Sequence, residues 1–517
     1  MFEKNYFKRR NVGVSRTQYC FFPKWLWIYL LSGYLGLIWE VTAVHQSHFH
    51  GPTESIEIGW FEDVFDRIKR EASPEELYRF LYSVPKGGDL HHHHAGSIFT
   101  EDWYRVATDP ELNGGIRYFS RYRINNCGEG GDSNWGRNGY DRSLYWVNIN
   151  EWTWETLSQC HQGEFKPIDK LTTRERKDWE ASLILDRPGE GRNEFFENHW
   201  SRINDLFRNP YLMAELLVVN MKRFGAEGLI YLEPQVAWKG FHNREGEPLS
   251  SSKVNEIYKE RIGRLDARET GVTMRFLVTI LRFGETAPQQ IIPAFEFISR
   301  NNDLWRGINM AGREDNQKGY PARFTKAFDD ALRRFSGIGI SIHAGEQDEP
   351  SSHIFDTLRL GATRIGHGIN LIHDAQTMQL MRFGKFMLEI NLVSNHMLEY
   401  VQHSREHPFP IYLRHGIPCA LSTDDRGMFD SNMTDEYYTA VSNFDLTWKE
   451  LVGLGQNSLK FSFAEPGVVM DLLERYARNL AEFESRFLVE DWRNVLTGVH
   501  PEGTGYSRRH LGLNLDF

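Results

Sequence analysis

Eight short apolar runs, rich in β-branched residues and closed by glycine or polar residues, punctuate the chain from residue 89 onward. They cover Asp89 to Ala95, Gly228 to Gln235, Thr273 to Arg282, Trp305 to Gly312, Ile338 to Glu346, Ala362 to Ile369, Phe386 to Ser394 and Ile417 to Asp425. Runs of this length read as buried strands, and after the second their spacing leaves room for a helix between neighbours. Eight alternating strand and helix signals predict an α/β chain folded as a (β/α)8 TIM barrel. Polar residues gather at the C-terminal end of each run, where such a barrel carries its active site.

The spacing breaks once, between the first and second runs. From about 98 to 185 the chain is rich in Trp, Tyr, Asn and Gly, which predicts an inserted subdomain on the catalytic face. Two of the four cysteines, Cys127 and Cys160, lie in it. Cys419 sits in an apolar run, where a buried free thiol is expected. Cys20 would leave with a cleaved leader, so Cys127 and Cys160 remain to pair in an oxidising compartment. Closing that loop would contribute roughly 3 to 4 kcal/mol on a chain-entropy basis.

The N-terminus predicts such a compartment. Lys4, Lys8, Arg9, Arg10, Arg16 and Lys24 precede an apolar run from Trp25 to Trp39, followed by Glu40-Val41-Thr42-Ala43. Residues 1–43 therefore read as a signal peptide, or as a membrane anchor through residues 25–39 if uncleaved; a full span needs about 20 apolar residues. The bulk of the chain would be exported, secreted or periplasmic. Residues 44–85 form an N-terminal helical extension, 86–500 the barrel with its insert, and 501–517 a tail. In the extension, Trp60, Phe61, Val64, Phe65 and Ile68 recur at helical spacing, and Ser73-Pro74-Glu75-Glu76 is a capping box with proline at the first helical position. These helices would pack on the barrel or on a second copy in a homodimer. A formal charge of -10 without a basic stripe argues against nucleic acid and for a small polar ligand.

The chemistry concentrates at the run ends. Pro85-Lys86-Gly87-Gly88-Asp89-Leu90-His91-His92-His93-His94-Ala95-Gly96-Ser97 lies too deep in the chain for a purification tag. On a strand His91 and His93 share one face, an H-x-H pair able to hold a metal, although packed strand histidines are common. Ile342-His343-Ala344-Gly345-Glu346 ends the fifth run on a histidine with an acid three residues on. Arg364-Ile365-Gly366-His367-Gly368 sets a histidine between glycines that admit close approach to the backbone. Leu421-Ser422-Thr423-Asp424-Asp425 leaves two carboxylates side by side, a repulsive arrangement unless a cation or ligand proton engages them. Imidazole and carboxylate donors suit zinc, so His91, His93, His343 and Asp424 are the candidate metal ligands, with water completing the shell.

H-x-H, H-A-G-E, R-I-G-H-G and S-T-D-D, in this order, resemble the adenosine deaminase family of metal-dependent hydrolases over roughly residues 80 to 490. The P-K-G-x-x-L-H-x-H form, the cysteine-bearing insert and the export signal resemble its secreted subgroup, the adenosine deaminase-related growth factors. The resemblance implies one zinc ion per chain and hydrolytic deamination of adenosine or 2'-deoxyadenosine, by attack of metal-activated hydroxide at purine C6. His367 and Asp424 would orient and deprotonate the water, and protonated Glu346 would donate to N1. Asp425 would bind N7 and the Gly312 backbone N–H would bind N3. Trp200 resembles an aromatic that shields the ribose in the secreted subgroup, or is a helix core residue.

Two departures stand out. The family carries an aspartate that reaches the ribose 5'-hydroxyl where this chain has Ala95, with His94 a substitute if the strand ends early or a packing residue otherwise. Arg426 replaces the usual proline after the two aspartates. The missing aspartate keeps alive a deaminase of adenine or of a 5'-modified adenosine. An extracellular binding or growth-factor-like protein is the rival from another class. Glu233 is expected either to support a ligand residue from behind or to line the barrel interior, Glu389 and Ser394-Asn395 to shape the barrel, and His396 and His407 to be loop histidines.

Overall fold

The computed structural model describes residues 58–125, 127, 144–316 and 318–515. The leader or anchor expected over residues 1–43 lies outside the described residues. The chain divides into two units, Met1–Gly59 and Trp60–Phe517, and the second carries the strands and the candidate site residues. No helix among the described residues is long and apolar enough to cross a membrane.

The strands that carry the candidate site residues pair in parallel. A seven-stranded sheet runs, in spatial order, Cys419–Leu421, Met387–Ile390, Arg364–His367, Gly339–Ala344, Trp305–Ala311, Phe276–Leu281 and Gln235–Val236. A second sheet joins Gly87–Asp89, Leu229–Leu232 and Thr273–Met274. The two sheets share the same runs of chain. Pro234, which lacks an N–H for the ladder, separates Leu229–Leu232 from Gln235–Val236, and Arg275 separates Thr273–Met274 from Phe276–Leu281. Two single bridges, His92 with Asp424 and His93 with Gln235, tie the first run to the last and to the second. The Asp89 carboxylate adds a tie by accepting from the Thr423 backbone N–H at 3.1 Å and its hydroxyl at 2.7 Å.

Strand limits depart from the sequence reading at two places that matter. Pairing of the first run stops at His93; residues 94–97 turn, with the Ser97 N–H donating to the His93 carbonyl. The seventh run stops at Ile390, and Leu392–Met397 is helical, so Ser394 and Asn395 project from a helix rather than a strand end.

Ahead of the first strand, Ile58–Glu71 and Pro74–Ser83 are helices, the second closed by reciprocal bonds between Ser73 and Glu76. Phe61, Phe65 and Phe80 are fully buried against Trp448 and Phe483 of the same chain, from the helices Trp448–Lys460 and Pro466–Val489. Between the first and second runs, Asn148–Asn150, Tyr118–Arg121 and Phe165–Pro167 form an antiparallel sheet in that order. Its core of Phe119, Leu144, Val147, Ile149, Leu157 and Phe165 is separate from the main one. Cys127 and Cys160 are joined in a disulfide, and Cys419 is a buried free thiol.

Candidate metal and catalytic site

His91, His343, His367 and Asp424 bring donor atoms mutually close, and His93 joins them through His343 and Asp424. His91 Nε2 lies 3.0 Å from His343 Nε2, and His343 Nε2 lies 3.2 Å from His93 Nε2. Asp424 Oδ1 stands 3.2 Å from His93 Nε2 and 3.6 Å from His91 Nε2. Tetrahedral ligands at about 2.1 Å from a zinc ion would be about 3.4 Å apart.

The tautomers say what these atoms offer. His91 Nδ1 is 2.7 Å from Glu389 Oε2, so that nitrogen carries the proton; His343 Nδ1 donates to the Met310 carbonyl at 3.0 Å. Both Nε2 atoms therefore present lone pairs to each other, an arrangement that only a shared cation or an added proton relieves. Asp424 Oδ1 is buried without a hydrogen-bond partner, while Oδ2 accepts from Ser394 Oγ at 2.6 Å. Three imidazole nitrogens and an unsatisfied carboxylate oxygen fit a divalent ion of the zinc type.

Glu389 supports that cluster from the strand Met387–Ile390. It accepts from Ser341 Oγ and pairs with Arg364 at 2.7 Å, and Arg364 pairs with Glu233, all fully buried. A carboxylate on the distal nitrogen fixes the ring and raises the basicity of the ligating one. Gly366, expected to admit a ligand to the backbone, instead makes room for the His91 ring: a Cβ there would lie 2.4 Å from His91 Cε1.

His367 is built as a donor. The Phe409 N–H donates to His407 Nδ1, His407 Nε2–H to Asn395 Oδ1, and Asn395 Nδ2 to His367 Nδ1. This relay leaves the His367 proton on Nε2, which is unpartnered, 3.7 Å from Glu346 and 3.9 Å from Asp424 Oδ2. An imidazole in that state can orient a water but cannot take its proton, so of the two groups expected to deprotonate water only Asp424 has the capacity. His407 lies on the loop between Ser404–Glu406 and Phe409–Arg414, as expected, but is a buried relay member; His396, expected on a loop, lies in the helix Leu392–Met397 beside His510.

Charge states follow from burial and neighbours. Burial pushes Glu346 well above the ordinary glutamate value, and the carboxylates of Asp424 and Glu314 push it further, keeping it a proton donor. Asp425 is raised for the same reasons, burial and then Asp424. Burial works against ionised Asp424, but the His91 and His93 imidazoles outweigh it and hold the group well below its usual range. Burial and neighbouring imidazoles keep His343 and His367 neutral. At His91 burial is outweighed by Asp424 and Glu389, which push it up to about 10, so a cation competes there with a proton.

Of the expected substrate contacts, Asp425 Oδ1 is buried and unpartnered, 1.6 Å from where a Cβ on Gly96 would be, so only glycine fits at 96. Trp200 is half-buried with its ring edge-on to His93, centroids 5.9 Å apart. Gly312 follows the strand Trp305–Ala311 with φ +99°, a backbone suited to glycine. His94 turns away and donates to the Met213 carbonyl at 2.9 Å, a packing role. Arg426 also turns away: its guanidinium lies 3.4 Å above the Phe224 ring and 3.2 Å from Glu227.

Glu314 is the residue the sequence reading missed. Buried, it accepts from the N–H groups of Gly345 at 3.1 Å and Glu346 at 2.8 Å, with His353 Nδ1 at 2.6 Å. It fixes the backbone that carries Glu346 and adds the charge that keeps it protonated. Glu314→Gln should retain zinc and leave KM little changed while kcat falls about 10- to 100-fold, the usual cost of losing such a support. A kcat loss matched by metal loss would show a role in folding alone.

A family model described as adenosine deaminase matches residues 190–478. The adenosine deaminase-like protein of Caenorhabditis elegans is 38% identical over 149 residues, 29% of this chain and only 38% of that protein. The adenine deaminase of Chelativorans sp. is 30% identical over 262 residues, 50% of this chain and 77% of its own length. Among solved structures, the adenine deaminase of Arthrobacter aurescens has a like fold, with TM-score 0.56 and 17% identity over 76% of this chain and 99% of that one.

Proposed function

This chain belongs to the adenosine deaminase family, and from that membership and the geometry of its site we propose that it hydrolyses adenosine, and 2'-deoxyadenosine, to the inosine form and ammonia. The observation that carries the proposal is the convergence of His91, His93, His343 and Asp424 beside a buried carboxylic acid, Glu346, held in its neutral form. A zinc ion on those four residues would supply water with its pKa lowered from 15.7 to about 7.

The remaining work falls to the chain's own side chains. Asp424 accepts the water proton, and the His367 Nε2–H holds the oxygen toward the purine face. Glu346 donates to N1, which drains the ring of electrons and opens C6 to addition. Neutral Asp425 donates to N7, the Gly312 N–H reaches N3, and Trp200 covers the sugar. The water oxygen bonds to C6, the proton taken by Asp424 passes to the amino group, the C6–N bond breaks to release ammonia, and the adduct's hydroxyl proton returns to Glu346 as the C6 carbonyl forms.

The same reading takes the two parallel sheets as one closed (β/α)8 barrel, supported by the bridges at His92 and His93, with the disulfide-bearing segment as an insert. It keeps residues 1–43 as a leader or anchor, and the Cys127–Cys160 disulfide supports export and a place in the secreted subgroup. Ala95 favours a second reading, deamination of adenine or a 5'-modified adenosine.

Absorbance loss and ammonia release from adenosine, 2'-deoxyadenosine, 5'-modified adenosines and adenine separate these. Preferred turnover of adenosine supports the first reading; adenosine inert while adenine or a 5'-modified analogue reacts replaces it with the second. Ligand binding without any ammonia would leave the extracellular binding protein.

A further inference from the structure

We propose that the side-chain amide of Gln235 holds an uncharged hydroxyl of the substrate's sugar; the inference rests on the deaminase reading and adds the chemical class of the group bound beyond the purine. Gln235 stands directly opposite His93. Its N–H donates to the His92 carbonyl at 2.9 Å, and its own carbonyl accepts from the His94 N–H at 3.0 Å. Directly opposed residues of a parallel pair leave the sheet on the same side. Since His93 Nε2 faces His343 and Asp424, the Gln235 amide faces the same space.

That amide is only 3% exposed, yet both its Oε1 and its Nε2 lack any hydrogen-bond partner. A buried amide left unpaired costs the full desolvation of its groups, about 1 to 3 kcal/mol, and native interiors seldom tolerate it without a reason. Apolar Leu or Val would fill a purely structural position at no such cost. An amide offers an acceptor and two donors, which matches a hydroxyl, itself a donor and an acceptor.

Charge disfavours the anionic alternative. The acidic side chains across the site are Asp424, Asp425 and Glu346. Of the buried cations, Arg364 is held by Glu233 and Glu389 and Arg426 by Glu227, while Arg282 donates to the Met310 and His343 carbonyls and faces Glu314 and Glu346. A phosphate at Gln235 would meet the carboxylates of Asp424, Asp425 and Glu346, which favours a nucleoside over a nucleotide.

The test is equilibrium binding by calorimetry on zinc-loaded protein carrying Glu346→Gln, which removes turnover, with and without Gln235→Leu. The probes are adenosine, its 2'-, 3'- and 5'-deoxy analogues and adenosine 5'-monophosphate. With Gln235 in place, one deoxy analogue should bind about ten-fold more weakly than adenosine, and Gln235→Leu should bring that ratio close to one. A ratio unchanged by the substitution, or tighter binding of the monophosphate, overturns the proposal. Should Gln235→Leu fail to fold, Gln235→Met reads the same ratio. If the hydroxyl pattern appears but the unsubstituted enzyme releases no ammonia from any purine, this contact stands and the deaminase reading falls. If no purine riboside binds, both fall.

Discussion

Glu346→Gln should lose turnover by about 10²- to 10⁴-fold while keeping its zinc and its affinity for purine riboside. The amide is the same size and can still accept, but it has no proton at the acidity N1 requires. The carboxyl is fully enclosed, and its raised proton affinity comes from burial first and from Asp424 and Glu314 next. The sign of the pH dependence is set by that shift. A carboxyl raised in this way is protonated and active below its folded value and loses the proton above it. The unsubstituted enzyme should therefore hold kcat on the acid side of that value and lose it as pH rises through it. Near-normal turnover by Glu346→Gln would remove Glu346 from the role of acid.

Removing the metal should have the second large effect. With a chelator, ammonia release should stop and the thermal midpoint should fall, both restored by zinc. At free zinc a thousand-fold above the dissociation constant, the ion stabilises the native state by about 4 kcal/mol. The lone pairs of His91 and His343, 3.0 Å apart, supply the structural reason. Because the imidazoles must bind as bases, and His91 holds a proton in competition, zinc affinity should weaken as pH falls. His343→Ala should reproduce the chelator's effect irreversibly. A thermal midpoint indifferent to chelation would contradict the four-ligand site.

Much of this was legible in the sequence because metal chemistry is conservative about residue type and strand position. His91 and His93 at a spacing of two, His343 at a strand end, and the adjacent Asp424 and Asp425 all lie on one mouth of the fold, as periodicity predicts. What supports them was not legible. Glu314, two residues past Gly312, has no motif; its role appears only when the chain brings it under the Gly345 and Glu346 N–H groups. Glu389 read as a barrel-shaping acid, and only its contact with His91 Nδ1 shows it setting a tautomer. The relay from His407 through Asn395 to His367 depends on the seventh run turning helical after Ile390, which apolar patterning alone does not signal. An early strand end was expected to free His94 for the sugar; pairing does stop at His93, yet the turn sends the His94 ring to the Met213 carbonyl.

The most direct measurement is a zinc titration of metal-free protein, followed by ammonia release from adenosine. Activity should rise linearly and stop at one zinc ion per chain, with no turnover at zero metal. Ammonia release from metal-free protein, or a fully zinc-loaded protein that releases none from any purine, would contradict the account.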